Sequence, residues 1–250
     1  MALQVTAAVM GMPVSLRIVD HCASASASDG EAVFTYLRHI DAVFSTYKSE
    51  SETERINRGE LLEGEASEEM QTIIALCQQT KAETGGHFDA NFRGRFDPSG
   101  LVKGYAIQRA AELLQGRGFL NFYVEAGGDI QTFGHNHLGE KWRVGIRNPF
   151  KPSELASVVH LSGEGIATSG TYERGEHIYN PIEGRSANEV ASVSIIASNI
   201  YDADRFATAA FAMGKAGIRF IRSLYGIEGC VIGLDGRTHC TNGFQRYLSP

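Results

Sequence analysis

Apolar residues recur at helical spacing in some stretches of this chain and at strand-like density in others. Val33, Leu37, Ile40, Val43 and Phe44 fall on one face of a helix over about 30–44, entered from the small, polar stretch 24–29. A second helix is predicted over 67–84, with Ser67 as its N-cap, Glu69 and Met70 in its first turn and Gly85-Gly86 ending it. Ala106, Ile107, Ala110, Leu113 and Leu114 line one side of a third helix over about 104–115. Two more are expected near 202–213 and 216–225. Segments 3–20, 121–126, 142–147, 157–163, 190–198 and 229–234 read as strands, the first broken by a turn or bulge. Strands and helices intermix without a regular βαβ rhythm. The pattern predicts an α+β fold of mixed sheet and helix, spanning 1–250 as one domain, rather than a doubly wound parallel sheet.

Composition narrows the function classes. With 250 residues, 43% of them hydrophobic, the chain can bury a large core. Its 23 basic against 29 acidic residues give a net charge of −6, which argues against nucleic acid or an anionic membrane surface as partner. No apolar run approaches the ~20 residues that span a bilayer. The first twenty residues lack a basic start, and Gly11, Met12 and Pro13 interrupt their apolar run, so they do not read as an export signal; a cytoplasmic protein is expected. Cys22, Cys77, Cys230 and Cys240 show no CxxC spacing, so reduced thiols are expected in place of a disulfide or zinc framework.

Three glycine-bearing clusters carry candidate chemistry: Asp97 to Gly104 before a helix, Ala126-Gly127-Gly128-Asp129 after a strand, and Ala167 to Tyr172. Each could be an ordinary turn. A glycine turn that carries Lys103 and opens a helix could also receive a phosphate, because helix N-termini offer free N–H groups and a favourable dipole. Neither GxxxxGK[ST] nor GxGxxG is present, which disfavours a P-loop or an ordinary Rossmann site. Asp204 and Thr208 stand one helical turn apart and could supply oxygen ligands to Mg²⁺; equally, Asp202 and Asp204 could simply cap a helix and meet its dipole. His177, before Ile178-Tyr179-Asn180-Pro181, is a candidate general base or an ordinary surface histidine.

Taken in order, these blocks resemble the ApbE family of FAD:protein FMN transferases. Met10-Gly11-Met12-Pro13 is similar to the family's Met-Gly-Thr opening. Phe44-Ser45-Thr46-Tyr47 with Ser51 and Arg55-Ile56-Asn57, then Gly86-His87-Phe88-Asp89, follow. Asp97 to Tyr105, Ala126 to Asp129, Ser169 to Tyr172, His177 to Pro181 and Ala203 to Ala209 complete eight blocks over some 200 residues.

The resemblance implies a compact α+β fold with a flavin cleft. It implies Mg²⁺-dependent transfer of FMN from FAD to a threonine of a partner flavoprotein, releasing AMP. Metal ligands would be Asp204, Thr208 and the carbonyl of Gly100, and Asp204 and His177 would serve catalysis. Flavin contacts would come from Met10, Tyr47, His87, Phe88, Asp89, Asp97, Lys103 and Ile178. The chemistry agrees: a metal and a lysine offset pyrophosphate charge, and a threonine hydroxyl needs a base. Asn180 replaces the family's usual aspartate, and only Glu173 to Glu176 separate two blocks, a short loop that leaves acceptor preference open. The family's lipobox cysteine is missing, which fits the cytoplasmic expectation. Asp235-Gly236-Arg237-Thr238-His239-Cys240 begins like a flavinylation motif but has cysteine where threonine belongs, so the chain reads as donor-side enzyme. The alternatives are an FAD pyrophosphatase, with water in place of threonine, and a non-catalytic FAD-binding protein. The family's association of the Tyr47 position with transfer favours the first reading over hydrolysis, and a non-catalytic protein would have no use for the Asp204–Thr208 pair or His177.

Overall fold

All eight residues of one strand, Val190–Ala197, are buried, so that strand is covered on both faces. The computed structural model describes residues 2–20, 25–170 and 178–248. Within them, eight strands form one antiparallel sheet in the order β1 (Leu3–Val9), β2 (Met12–Ile18), β5 (Phe122–Ala126), β6 (Asp129–Phe133), β9 (Gly165–Gly170), β12 (Val190–Ala197), β13 (Glu228–Gly233) and β14 (Thr238–Cys240). Three short hairpins stand outside it: β3 (Asn91–Phe92) with β4 (Arg95–Phe96), β7 (Trp142–Asn148) with β8 (Lys151–Leu161), and β10 (Tyr179–Asn180) with β11 (Arg185–Ser186).

One sheet face is packed by helices. These are α1 (Ala27–Phe44), α4 (Ser99–Gly116), α5 (Ile200–Ala212) and α6 (Gly217–Ser223), with α2 (Glu52–Asn57) and α3 (Glu68–Glu83) at the periphery. Val193 and Ile195 of β12 join this larger core with Leu37, Ile40, Leu101, Ile107 and Phe211. The opposite face is covered by the β7–β8 hairpin and the C-terminal turn, where Ile196, Ile166, Val159, Leu161, Phe244 and Tyr247 form a second cluster. The α+β expectation therefore holds, with a sheet sandwiched between helices and a hairpin.

Local chemistry explains most boundaries. Ser67 caps α3 by accepting from the Met70 N–H at 3.2 Å, and Gly85 and Gly86, at φ +59° and +87°, end it. The helix predicted from 104 starts at Ser99, because Asp97 Oδ1 takes the Ser99 N–H at 2.9 Å and turns the chain in early. Asn199, not Asp202, caps α5, accepting from the Asp202 N–H at 2.8 Å. The predicted strand 3–20 is a hairpin whose two-residue turn is Met10-Gly11, at φ +54° and +71°. Gly127-Gly128 and Arg93-Gly94 make the same kind of turn, with positive φ at both positions. A non-glycine residue held there costs about 1–2 kcal/mol.

Three expectations are corrected. Residues 167–170 of the third glycine cluster are strand, not turn; β9 is mostly buried between β6 and β12. Its small residues admit close packing: a Cβ on Gly165 would lie 2.4 Å from the backbone N of Ile200. Helix α2 and strand β6 were not foreseen. Cys230 and Cys240 are disulfide-bonded, since the β13–β14 register sets them directly opposite with Cα atoms 4.1 Å apart. Sequence spacing of ten gives no hint of such a pair. Among the described residues, no helix is long and apolar enough to cross a membrane.

Candidate active site

The site is built where α4 and α5 cross beneath the β5–β6 turn. Gly104 makes the crossing close: a Cβ there would lie 2.7 Å from Asp204 Cβ and 2.9 Å from the Ile200 carbonyl. The Gly104 N–H donates to Asp204 Oδ2 at 2.7 Å. Beside it, Lys103 Nζ lies 2.5 Å from Asp129 Oδ2 and 3.6 Å from Asp204 Oδ1. Asp204 and Asp129 are only 3% and 1% exposed, so two carboxylates are buried against one ammonium. Burial pushes the Asp204 carboxyl well above the usual carboxylate range, Lys103 pulls it back, and Asp129 pushes it further up.

One turn along α5, the Thr208 hydroxyl donates to the Gly100 carbonyl at 3.3 Å. A Cβ on Gly100 would lie 3.2 Å from both Thr208 Cγ2 and the Phe88 ring. Gly100, Asp204, Thr208 and Phe88 therefore share one small region. Among the described residues, no three His, Cys, Asp or Glu side chains gather into a metal cage. The available set is instead a carboxylate, a hydroxyl and a main-chain carbonyl, with the buried Asp129 carboxylate across Lys103 from Asp204. That set fits a small hard cation that keeps waters and substrate phosphates in its other positions.

Asp129 is the member that sequence reasoning left off the list of site residues. It follows the Gly127-Gly128 turn, so the β5–β6 register aims it at the helices, and its Oδ1 accepts the Thr168 N–H at 3.0 Å. An acidic residue directly after a double-glycine hairpin turn was the available signal. Arg205, beside Asp204, is a second omission. It is 6% exposed, ion-pairs with Asp202 at 2.7 Å and with Glu83, and fastens α5 to α3.

The other predicted residues each have a local setting. Met10 is half-buried in its turn, and the neighbouring Met12 packs over Gly127. His87 is half-buried with its Nδ1 lacking a hydrogen-bond partner, and burial holds its pKa below the ordinary histidine value. Asp89 pairs with Lys81 at 2.6 Å and accepts the Asn91 N–H, while Asp97 accepts the Ser99 N–H where α4 begins; both carry local structural duties. Tyr47 is 95% exposed, on a loop whose Thr46 carbonyl accepts from Arg95 at 3.4 Å. Ile178 packs against the main core, and its carbonyl accepts the Ala187 N–H at 2.9 Å. Asn180 is buried, and its Oδ1 accepts the N–H groups of Ile182 and Glu183, a duty that aspartate would perform equally. His177 lies outside the described residues.

The ApbE family model matches this chain over residues 10–94 and 90–231. A protein of Salmonella typhimurium named FAD:protein FMN transferase is 29% identical over 164 residues, covering 62% of this chain and 45% of that protein. The chain thus spans about half the length of that curated relative. The crystal structure of the ApbE protein from Thermotoga maritima superposes with a TM-score of 0.89 at 22% identity, covering 100% of both chains. The structure titled flavin transferase ApbE from Vibrio cholerae gives 0.86 at 22% identity, covering 99% of each.

Proposed function

This chain belongs to the ApbE family, and from that premise we propose that it is an FAD:protein FMN transferase, moving FMN from FAD to a threonine hydroxyl of a partner flavoprotein and releasing AMP. The observation that carries the reading is the pair of buried carboxylates, Asp129 and Asp204, on Lys103 beside the Thr208 hydroxyl and the Gly100 carbonyl. Two buried carboxylates share one lysine, and burial pushes the Asp204 carboxyl toward its neutral form; a cation bound beside them would favour its ionised form. Gly100, Asp204 and Thr208 would hold Mg²⁺, which when bound offsets charge on the pyrophosphate.

The protein's own groups account for the rest. Lys103 offers an ammonium to a pyrophosphate oxygen. Phe88, buried beside Gly100, would help keep water from that region. The acceptor oxygen forms a bond to the FMN phosphorus as the bond to the AMP oxygen breaks, and His177 is proposed to take the hydroxyl proton. AMP leaves with the bridging oxygen. Because phosphoryl transfer depends chiefly on positioning and electrostatics, a rigid helix crossing is a suitable base for it.

The test combines purified protein, FAD, Mg²⁺ and an acceptor carrying the family's Asp-Gly-x-x-x-Thr motif, followed by denaturing electrophoresis. Fluorescent flavin on the acceptor, lost with chelator, is expected. FMN and AMP without labelled acceptor would instead identify an FAD pyrophosphatase. FAD retained unchanged with every acceptor would identify a binding protein.

A further inference from the structure

Lys103 has two buried carboxylates within reach and sits unequally between them. Its Nζ lies 2.5 Å from Asp129 Oδ2 but 3.6 Å from Asp204 Oδ1. The first contact is a charge-assisted hydrogen bond, and the second is longer than a hydrogen bond. Both carboxylates are almost fully buried, so solvent access does not explain the preference. Their anchoring does. Lys103 and Asp204 stand on the crossing helices α4 and α5, whereas Asp129 reaches them from the sheet.

Asp129 is fixed by two strands. It opens β6 directly after the Gly127-Gly128 turn, with Ala126 of β5 as its register partner. Its Oδ1 accepts the Thr168 N–H of β9 at 3.0 Å, which leaves Oδ2 turned to Lys103. The Thr168 hydroxyl is paired in turn with that of Ser194 at 2.8 Å. Asp204 is arranged differently. Its Oδ2 accepts the Gly104 N–H at 2.7 Å, so Oδ1 is the oxygen that faces Lys103 at the longer distance. An ammonium drawn onto that oxygen would compete with any cation that Asp204 binds together with Thr208 and the Gly100 carbonyl.

We infer that Asp129 is a positioning residue: it holds the Lys103 ammonium off Asp204 and so keeps Asp204 open to a divalent cation. This inference rests on the proposed metal site. It gives Asp129 a duty toward metal affinity, exercised through Lys103, rather than a contact with FAD or acceptor.

Asp129→Asn is the discriminating variant. Asparagine keeps the size and the hydrogen bond from Thr168 but loses the charge, and its Nδ2 would face the ammonium donor to donor. Of the two carboxylates, only Asp204 then remains for Lys103. The probe is Mn²⁺, titrated into metal-free protein without FAD or acceptor, with the free-ion signal in electron paramagnetic resonance reporting the bound fraction. The dissociation constant should rise about tenfold in Asp129→Asn. Lys103→Met, which removes the competing ammonium, should bind Mn²⁺ at least as tightly as the unaltered chain. Asp129→Asn combined with Lys103→Met should return to within about threefold of the unaltered chain, a non-additivity that local damage would not produce. In the transfer assay, the Mg²⁺ concentration giving half-maximal rate should follow the same order for the unaltered chain and Asp129→Asn.

Unchanged Mn²⁺ affinity in Asp129→Asn, or equal weakening in that variant and the double variant, would overturn the inference while leaving the metal site in place. If Asp129→Asn fails to fold, Lys103→Met decides, since weaker Mn²⁺ binding there would show that Lys103 does not compete. No Mn²⁺ binding by the unaltered chain would overturn the inference together with the proposed metal site.

Discussion

The two faces of the central sheet bury different things. On the hairpin-covered face, Ile146, Val159, Leu161, Ile166, Ile196 and Phe244 fill an apolar layer, and the hydroxyls of Thr168 and Ser194 satisfy each other at 2.8 Å. On the helix-covered face, the buried carboxylates of Asp129 and Asp204 meet the partly exposed Lys103. Charge of that kind destabilises a fold unless it is paired or put to use. The contrast separates an apolar covering on one face from paired charge on the other, where the proposed reaction would take place.

The sharpest break of that contrast is a pair of alanine substitutions. Asp204→Ala should lower Mg²⁺-dependent turnover at least ~100-fold, because the proposed carboxylate ligand is lost, while circular dichroism and thermal melting report an intact fold. Phe244→Ala, on the other face, should cost about 3–5 kcal/mol of stability and lower the melting temperature by roughly 10 °C. Activity per folded molecule should stay within about twofold. A fold lost in the first, or activity lost in the second at full folding, would erase the distinction.

Gly104→Ala tests the helix crossing between these extremes. Its methyl would meet Asp204 Cβ and the Ile200 carbonyl at under 3.0 Å, so α4 and α5 must part. Both stability and transfer should fall, stability by about 1–3 kcal/mol as in overpacked cores. Denaturant titration alongside the transfer assay measures the two together.

A smaller effect concerns pH. The Asp204 carboxyl is raised above its unfolded value by burial, so folding favours its neutral form. Its contribution to stability is therefore present in acid and lost as pH rises through the folded-state pKa. Metal-free Asp204→Asn, whose side chain stays neutral throughout, should lose this slope and melt roughly 2–4 °C higher than the unaltered chain at pH 8, equivalent to about 1 kcal/mol. An equal pH slope in both proteins would show that Asp204 is not the group responsible. Smallest of all, Cys77 is buried with its thiol pushed up to about 12, so iodoacetamide should leave it unmodified in the folded protein at pH 8.

How far the sequence alone reached depended on whether a feature is local. Helix α1 was legible because Val33, Leu37, Ile40 and Phe44 repeat within one element, and α3 because Ser67 and Gly85-Gly86 bracket it. Gly100, Asp204 and Thr208 could be grouped in advance through family motifs, and the crossing of α4 and α5 brings them together. Features set by register were hidden. Strand β9 is made of small residues that resemble a turn, and its need for them arises from the approach of Ile200. Asp129 gains its place only when β5 and β6 pair, and Cys230 meets Cys240 only when β13 and β14 do.

The central claim is that the helix-covered face transfers FMN to a threonine. The most direct measurement is mass spectrometry of acceptor peptides after reaction with FAD and Mg²⁺, comparing the unaltered chain with Asp204→Ala. The account predicts an acceptor peptide heavier by one FMN less one water, with the addition on the motif threonine and AMP formed in equal amount, all absent with Asp204→Ala. Flavin on another residue, or equal labelling by the variant, would contradict it.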